Sequence, residues 1–214
     1  EKIDFKKCDE VGTILYVAID KKYVGYVLIA DKIKQDSPKT IRELKAMNIK
    51  ETVMLTGDKK EVGEYVAKKL NMDKVYTELL PDGKVEKVEE LLKQKSEKGK
   101  LVFVGDGIND APVLTISDIG VAMGGLGSDA AIEAADIVIM TDETSKISKA
   151  INLSKKTMRI VRENIIFAIF VKIAVLVLTA FGASTMWEAV FADVGVSVIA
   201  IINALRMLNI KKFE

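Results

Sequence analysis

The stretch that decides the fold reads Gly105-Asp106-Gly107-Ile108-Asn109-Asp110-Ala111-Pro112, and it follows directly on the apolar run 101–104. Two acids, an amide and two glycines stand where a buried strand is expected to end. Burying carboxylates without a cation is costly, and glycine lets the backbone approach a ligand closely. The stretch therefore predicts a polar site at the end of a strand.

Short apolar runs alternate with helical patterns on both sides of this stretch. The predicted strands are 52–55, 74–77, 101–104, 119–123 and 136–140. The predicted helices are 38–47, with Ser37 as its N-cap and Pro38 as its first residue, 60–70, 84–95 and 129–135. This alternation is typical of an α/β fold with a doubly wound, mostly parallel sheet. Two earlier β-rich runs, 13–19 and 23–30, predict a β-hairpin.

Polar groups that follow strands in such a sheet form its site, and here they suit phosphoryl transfer. That chemistry needs a nucleophile, amides around the phosphate, a cation and Mg²⁺ on carboxylates. Thr56-Gly57-Asp58 offers a hydroxyl and an exposed amide at a strand-to-helix turn. Lys84, after the predicted turn Pro81-Asp82-Gly83, offers the positive charge.

The remaining groups come from the opening stretch. Asp106 and Asp110 provide hard oxygens for Mg²⁺. Asn109 provides a neutral donor to phosphate.

Bulk composition excludes several other functions. A net charge of +1 gives no reason to expect a nucleic-acid partner. With Cys8 as the single cysteine and no histidine, the chain can form neither an internal disulfide nor a His/Cys metal cluster.

The last quarter of the chain has almost no charged residues, which indicates an environment other than water. Only Lys172, Glu188 and Asp193 are charged between positions 165 and 205. The apolar stretch 165–181, taken with its flanks, and the stretch 186–208 are each long enough to cross ~30 Å of hydrocarbon, and a short turn joins them. Basic residues flank both outer ends: Lys155, Lys156, Arg159, Arg162, Arg206, Lys211 and Lys212.

The pattern predicts a transmembrane helical hairpin with both ends in the cytoplasm, since basic residues favour that side. The lipid bilayer is then a partner, and the chain is part of a multi-pass protein of the cell (plasma) membrane. The alternative is a helical hairpin buried in a soluble core.

Two charges stand inside the predicted membrane segments, which marks them as functional candidates. Lys172 and Asp193 each lie ~15 Å from the turn at ~1.5 Å per residue, so they are level and able to pair. Asp193 is a candidate ligand for a transported divalent ion, and Lys172 its counter-charge when the ion leaves. A purely structural ion pair stays open.

Thr56-Gly57-Asp58, Lys84 and the stretch from Gly105 to Pro112 resemble the motifs of P-type ATPases, whose phosphorylation domain has the haloacid-dehalogenase fold. The resemblance implies ATP and Mg²⁺ as cofactors. It also implies that Thr56, Gly57 and Lys84 contact an aspartyl-phosphate and that Asp106 holds Mg²⁺. Asn109 and Asp110 complete that phosphate site.

One departure from the family matters. The phosphorylated Asp belongs to an Asp-Lys-Thr-Gly-Thr motif, which this chain lacks. The resemblance implies that this motif, the actuator domain, most of the nucleotide-binding domain and six earlier membrane helices lie outside the chain and are its partners. The chain alone is then expected to be inactive, and its sheet to lack the central, nucleophile-bearing strand.

The sequence of the second apolar stretch indicates which subfamily of these pumps the chain resembles. Ala192-Asp193-Val194-Gly195 with Asn203-Ala204-Leu205-Arg206 looks like the last helix of zinc, cadmium and lead exporters. The Met-Ser-Ser of copper pumps and the His-Glu-Gly of cobalt pumps are absent from the sequence.

The domains expected from the resemblance are, in order, the end of the nucleotide-binding domain with return strands (1–30), the phosphorylation domain (31–150), a cytoplasmic linker helix (151–163), the membrane hairpin (164–208) and a cytoplasmic tail (209–214). The function expected is part of an ATP-driven exporter of Zn²⁺, Cd²⁺ or Pb²⁺. The alternatives are a soluble haloacid-dehalogenase-like phosphatase and a non-catalytic membrane-bound fragment.

Overall fold

The structure is a computed structural model that describes residues 12–20, 22–29, 32–105, 108–124, 129–183 and 185–208. The chain divides into two compact units, Glu1–Ile147 and Ser148–Glu214.

Most strands of the first unit are parallel, as the sequence predicts. The strands are β1 (Thr13–Ile19), β2 (Lys22–Ile29), β3 (Val53–Leu55), β4 (Lys74–Tyr76), β5 (Val102–Gly105), β6 (Ile119–Met123) and β7 (Ile137–Ile139). Strands β1 and β2 form the predicted antiparallel hairpin. Strand β3 pairs in parallel with β4, while β5, β6 and β7 form a second parallel sheet in that order.

The sheet is divided between β3 and β5. Among the strands that the structure describes, no backbone ladder joins these two. Both therefore present an edge with unpaired N–H and C=O groups. This division agrees with the expectation that one strand of the sheet lies outside the chain.

Helices separate the strands along the chain. Those of the first unit are α1 (Ser37–Ala46), α2 (Lys60–Leu70), α3 (Pro81–Gln94), α4 (Ala111–Ile116) and α5 (Asp129–Ala134). A 3₁₀ turn, Ile108–Asp110, leads into α4.

The core of this unit lies where α3, α4 and α5 meet β6. Val88, Val113, Leu114 and Ala131 are at most 1% exposed. At Gly120 a Cβ atom would stand 2.7 Å from the carbonyl oxygen of Leu114, so glycine is what allows α4 to lie this close to β6. The packing fixes the 3₁₀ turn that precedes α4.

Two predicted helix starts were wrong. Helix α3 begins at Pro81, so Pro81-Asp82-Gly83 is its first turn instead of a separate turn. Proline is tolerated there because the first N–H groups of a helix have no intrahelical acceptor. At α1 the residue before the helix is Asp36, and the predicted cap Ser37 is already helical.

The side chain of Asp36 contacts a different helix. Its Oδ2 accepts a hydrogen bond of 2.8 Å from the backbone N–H of Ser145, the first residue of α6 (Ser145–Ala180). Burial opposes the charge, but the bonds from Ser145 and from the Thr144 hydroxyl hold the pKa of the Asp36 carboxyl below its ordinary value. Thr40, 2% exposed, lies 3.2 Å from the same Thr144 hydroxyl. The start of α6 is thus fixed by residues far upstream.

The second unit is a helical hairpin. Helix α6 has 36 residues, ends at Ala180 and passes through the predicted boundary at 163 without a break. The second helix, Met186–Met207, comprises α7 (Met186–Val190), a π-helical turn (Phe191–Gly195), α8 (Val196–Ala204) and a last 3₁₀ turn. Gly182, with φ of +70°, makes the turn between the helices.

Both hairpin helices are long and apolar enough to cross a membrane. Large apolar side chains point outward along them, among them Phe170 (69% exposed), Leu176 (68%) and Trp187 (76%). Contiguous exposed apolar surface marks a membrane or protein contact. The alternative of a hairpin buried in this chain's own core is not what the described residues form.

Asp118 anchors the start of β5. Its carboxylate accepts a bond of 2.8 Å from the N–H of Leu101, and Lys95 lies 2.8 Å away. The bond from Leu101, followed by that from Lys95, lowers the pKa of Asp118 to about 2.

We expect Asp118→Asn to lower the thermal unfolding midpoint at pH 7. A carboxyl with a lowered pKa stabilises the folded state fully above its ordinary pKa of 3.8, and this contribution disappears as the pH falls towards about 2. The gap between variant and wild type should therefore close over that window in thermal melts. Asp142→Asn is the control, because Asp142 is exposed and pairs only with Lys34 among the described ion pairs. A gap that persists at pH 2 would contradict this account.

Candidate functional site

The loops after β3 and β4 are bound to one another. The hydroxyl of Thr56 donates to Asp58 Oδ2 (2.7 Å) and accepts from the Asp58 N–H (3.1 Å). The backbone N–H of Leu79 donates to the Thr56 carbonyl, and that of Glu78 to the Asp58 carbonyl. The predicted Thr56-Gly57-Asp58 turn is thus rigidly held beside the residues that lead into α3.

Two glycines make this arrangement possible. A Cβ atom at Gly57 would approach the Leu79 carbonyl oxygen to 3.2 Å. At Gly63, on α2, it would stand 2.4 Å from the Thr77 methyl group and 3.1 Å from that of Thr56. Small residues here let α2 pack onto the loop that carries the Thr56 hydroxyl.

Lys84 and Asp110 follow strands of two different sheets, β4 and β5, and form an ion pair. Lys84 Nζ lies 2.8 Å from Asp110 Oδ1, and the two side chains are only 20% and 12% exposed. Lys84 stands in the first turns of α3, and Asp110 ends the 3₁₀ turn after β5. The predicted cation therefore has its charge compensated by one of the predicted carboxylates, which also orients it.

Strand β5 leaves room for this carboxylate. A Cβ atom at Gly105 would lie 2.9 Å from Asp110 Oδ2, so only glycine allows the carboxylate to reach the end of the strand. Asn109 is exposed beside it. Asp106 and Gly107 lie outside the described residues.

Oxygen ligands of this kind suit Mg²⁺ in their chemistry. Asp110 presents Oδ2 next to the strand end, while its Oδ1 bonds Lys84. Within the described part of the chain, no three His, Cys, Asp or Glu side chains are grouped so that they could hold a metal ion. The carboxylate of Asp110 is thus a ligand of the type that Mg²⁺ prefers, but a complete Mg²⁺ site would also need Asp106 and further groups outside the described residues.

In the hairpin, the structure brings together the two predicted charges. Lys172 Nζ lies 3.0 Å from Asp193 Oδ1. An open cavity of about 210 Å³ adjoins the pair and is otherwise lined by apolar side chains, including Val175, Leu176 and Ala192.

Asp193 stands in the middle of the π-helical turn Phe191–Gly195. The Val196 N–H bonds to the Phe191 carbonyl, five residues back. A Cβ atom at Gly195 would collide with the Phe191 ring at 2.5 Å, so glycine gives that ring its space. Turns of this type occur frequently at functional sites.

The sequence reasoning missed a polar contact in this hairpin. Asn203 Nδ2 donates to Asn164 Oδ1 over 2.7 Å. The signal was present, because amide side chains at the edge of an apolar stretch pair across helices in membranes. Centring the two helices on the turn would have set these positions opposite one another.

Known proteins resemble the chain in sequence and structure. A family profile, haloacid dehalogenase-like hydrolase, matches residues 2–115. The "Cadmium, zinc and cobalt-transporting ATPase" of Bacillus subtilis is 55% identical over 211 residues, which are 99% of this chain and 30% of the relative. The "Zinc-transporting ATPase" of Synechocystis sp. is 53% identical over 207 residues, 97% of this chain and 29% of the relative.

A solved structure agrees with these relatives. The crystal structure of a zinc-transporting PIB-type ATPase in the E2.Pi state superposes with a TM-score of 0.83 at 35% identity, covering 91% of this chain and 31% of that one. The chain thus spans about 30% of the length of the relatives it matches. The chain belongs to the haloacid dehalogenase-like hydrolases, and its resemblance to zinc- and cadmium-transporting P-type ATPases is confirmed along nearly its whole length.

Proposed function

We propose that this chain is the C-terminal part of an ATP-driven exporter of divalent heavy-metal ions that works through an aspartyl-phosphate. The observation that carries the proposal is the continuity of α6. This one helix begins at the end of a phosphate-handling α/β unit and holds Lys172, the partner of Asp193, in a hairpin of membrane-spanning length.

The loops of the first unit bind the phosphoryl group in this proposal. Thr56 offers its hydroxyl and Gly57 its amide, and Asp58 orients Thr56 by a bond of 2.7 Å. Lys84 supplies positive charge to the phosphoryl oxygens, and Asp110 holds the ammonium in place from 2.8 Å. Asn109, exposed at the same loop, donates to the phosphoryl group. A fixed cation and fixed donors stabilise developing charge without reorganising.

Asp106 is the proposed Mg²⁺ ligand, with Asp110 Oδ2 beside it. When bound, Mg²⁺ neutralises phosphate charge. The phosphoryl acceptor, the nucleotide-binding and actuator domains and the earlier membrane helices are supplied by the rest of the pump. Without them the chain is expected to be inactive.

The hairpin supplies part of the ion path. Asp193 provides oxygen ligands to the transported ion, which we take to be Zn²⁺, Cd²⁺ or Pb²⁺, and Lys172 compensates the carboxylate after the ion leaves. A carboxylate in hydrocarbon needs a cation at every stage, because leaving it unpaired there is costly. The Bacillus relative is named for cobalt as well, so Co²⁺ belongs among the ions to test.

We propose that the hairpin lies in the cell membrane with both ends in the cytoplasm. Arg159 and Arg162, both exposed, precede the first apolar stretch, and Arg206 follows the second. The turn carries no lysine or arginine. This asymmetry favours an outward-facing turn.

Two alternatives are weaker. A soluble phosphatase does not account for a hairpin with outward apolar side chains. A non-catalytic membrane-bound fragment does not account for the paired Lys84 and Asp110 at a phosphate site. A reading frame that continues upstream into an Asp-Lys-Thr-Gly-Thr motif would exclude the second alternative.

Lys84→Met in the full-length pump should lower phosphoenzyme formation from ATP by about a hundredfold or more, the cost of losing one fixed electrostatic group. The measurement is acid-stable incorporation of labelled phosphate. Lys60→Met is the control, since Lys60 is exposed and pairs only with Glu64 on its own helix among the described ion pairs. Normal phosphoenzyme in the Lys84 variant would refute the assigned role.

Asp193→Asn should abolish metal-stimulated ATPase activity and leave phosphorylation from inorganic phosphate intact, because the change removes an ion ligand and not a phosphate contact. Activity is measured across Zn²⁺, Cd²⁺, Pb²⁺, Cu⁺ and Co²⁺. Glu188→Gln, on the same helix near the turn, is the matched control and should respond to metal as wild type does. Unchanged metal stimulation in the Asp193 variant would exclude a transport site at this residue.

A further inference from the structure

A line of hydrogen bonds joins the two hairpin helices in the part of the hairpin that is far from its turn. Asn203 Nδ2 donates to Asn164 Oδ1 (2.7 Å), and Asn164 Nδ2 donates to the Ala200 carbonyl (3.1 Å). Arg206 Nη1 donates to Asn203 Oδ1 (2.8 Å) and lies 3.4 Å from Glu163 Oε2. The two asparagines are half-buried, whereas Arg206 and Glu163 are exposed.

The network fixes how each amide is turned. If the Asn203 amide were reversed, its oxygen would face Asn164 Oδ1 and its N–H₂ group would face the Arg206 guanidinium. Both contacts would be repulsive. The amide oxygens of Asn164 and Asn203 thus each accept a hydrogen bond within this network.

The asparagine pair and the ion pair both join residues that lie at nearly equal distances from the turn. Asn164 and Asn203 stand 19 and 20 residues from Ala183, and Lys172 and Asp193 stand 11 and 10 residues from it. On α6 the two pairs are separated by about 12 Å at ~1.5 Å per residue. A slide of one helix past the other by one turn, ~5.4 Å, would break both pairs together.

We propose that Asn164 and Asn203 are positioning residues that lock the register of the hairpin and so keep Asp193 at the depth where it binds the transported ion. This inference rests on the proposed function. Apart from the Lys172–Asp193 pair, the described hairpin surface is largely apolar, and apolar contacts are less directional than hydrogen bonds. The bonds between the amides add a register preference that does not depend on the charge pair.

Without the bond between Asn164 and Asn203, Asp193 is at the ion-binding depth for only part of the time. An ion binds more weakly when the competent arrangement is only partly populated, in proportion to that fraction. Cross-helix hydrogen bonds in membranes have strengths that correspond to changes of about threefold on average and about twentyfold at most.

The test measures Zn²⁺-stimulated ATPase activity of the full-length pump carrying Asn164→Ala, Asn203→Ala or both. Each single variant should raise the half-saturating Zn²⁺ concentration by between about threefold and about twentyfold. The maximal rate and phosphorylation from inorganic phosphate should stay within about twofold of wild type. The double variant should be affected by clearly less than the product of the two single effects, because both changes remove the bond between Asn164 and Asn203.

Thr179→Val is the matched control. It also removes a polar group from α6, but the Thr179 hydroxyl donates to the Val175 carbonyl of its own helix. Its half-saturating Zn²⁺ concentration should equal that of wild type. If an alanine variant does not accumulate, Asn203→Ser replaces it, because a serine hydroxyl bonds its own helix and is too short to reach Asn164.

Three results would overturn the inference: an unchanged half-saturating concentration in the single variants, additive effects in the double variant, or an equal effect of Thr179→Val. A wild-type pump without any metal stimulation would instead refute the proposed function. The two failures are therefore distinguishable.

Discussion

The pairing of one lysine with one aspartate is the interaction that recurs in both units of the chain. In the α/β unit, Lys84 and Asp110 pair at 2.8 Å where little of either is exposed. In the hairpin, Lys172 and Asp193 pair at 3.0 Å along an apolar surface. In each pair the lysine compensates the negative charge of an aspartate, whose carboxylate oxygens are of the kind that bind metal cations. Removing Lys84 leaves Asp110, whose side chain is only 12% exposed, with uncompensated desolvation.

The divided sheet is still held together on one side. Helix α3 starts after β4 and packs against α4, which starts after β5. The Lys84–Asp110 bond joins the same two segments. The loops after β3 and β5 are thus positioned relative to one another, although no described ladder joins these two strands.

Much of the fold could be predicted from the sequence, because its signals are local. Apolar runs gave the strands, and the near absence of charge from 165 to 205 gave the hairpin. Counting residues from the turn also placed Lys172 level with Asp193. Such features follow from periodicity and helical rise alone.

Other features depended on tertiary contacts that no local pattern records. Asp36 does not cap its own helix, because its carboxylate bonds the N–H of Ser145, 109 residues away. Around Asp193, the Phe191 ring occupies the space that a side chain at position 195 would need, which only the packed helix reveals. The bond between Asn164 and Asn203 is visible only once the two helices are aligned.

The bond between Asp36 and Ser145 has a consequence for the order of assembly. It closes a loop that contains nearly all of the α/β unit, and long-range closure is entropically costly until the enclosed chain is compact. The first turn of α6 therefore acquires its cap late, after the strands and helices between these residues have packed. Asp36 is synthesised long before Ser145, so its carboxylate stays hydrated by water until α6 has been made. The apolar hairpin is synthesised after this unit, and the first turn of the helix that leads into it is capped only once the unit has folded.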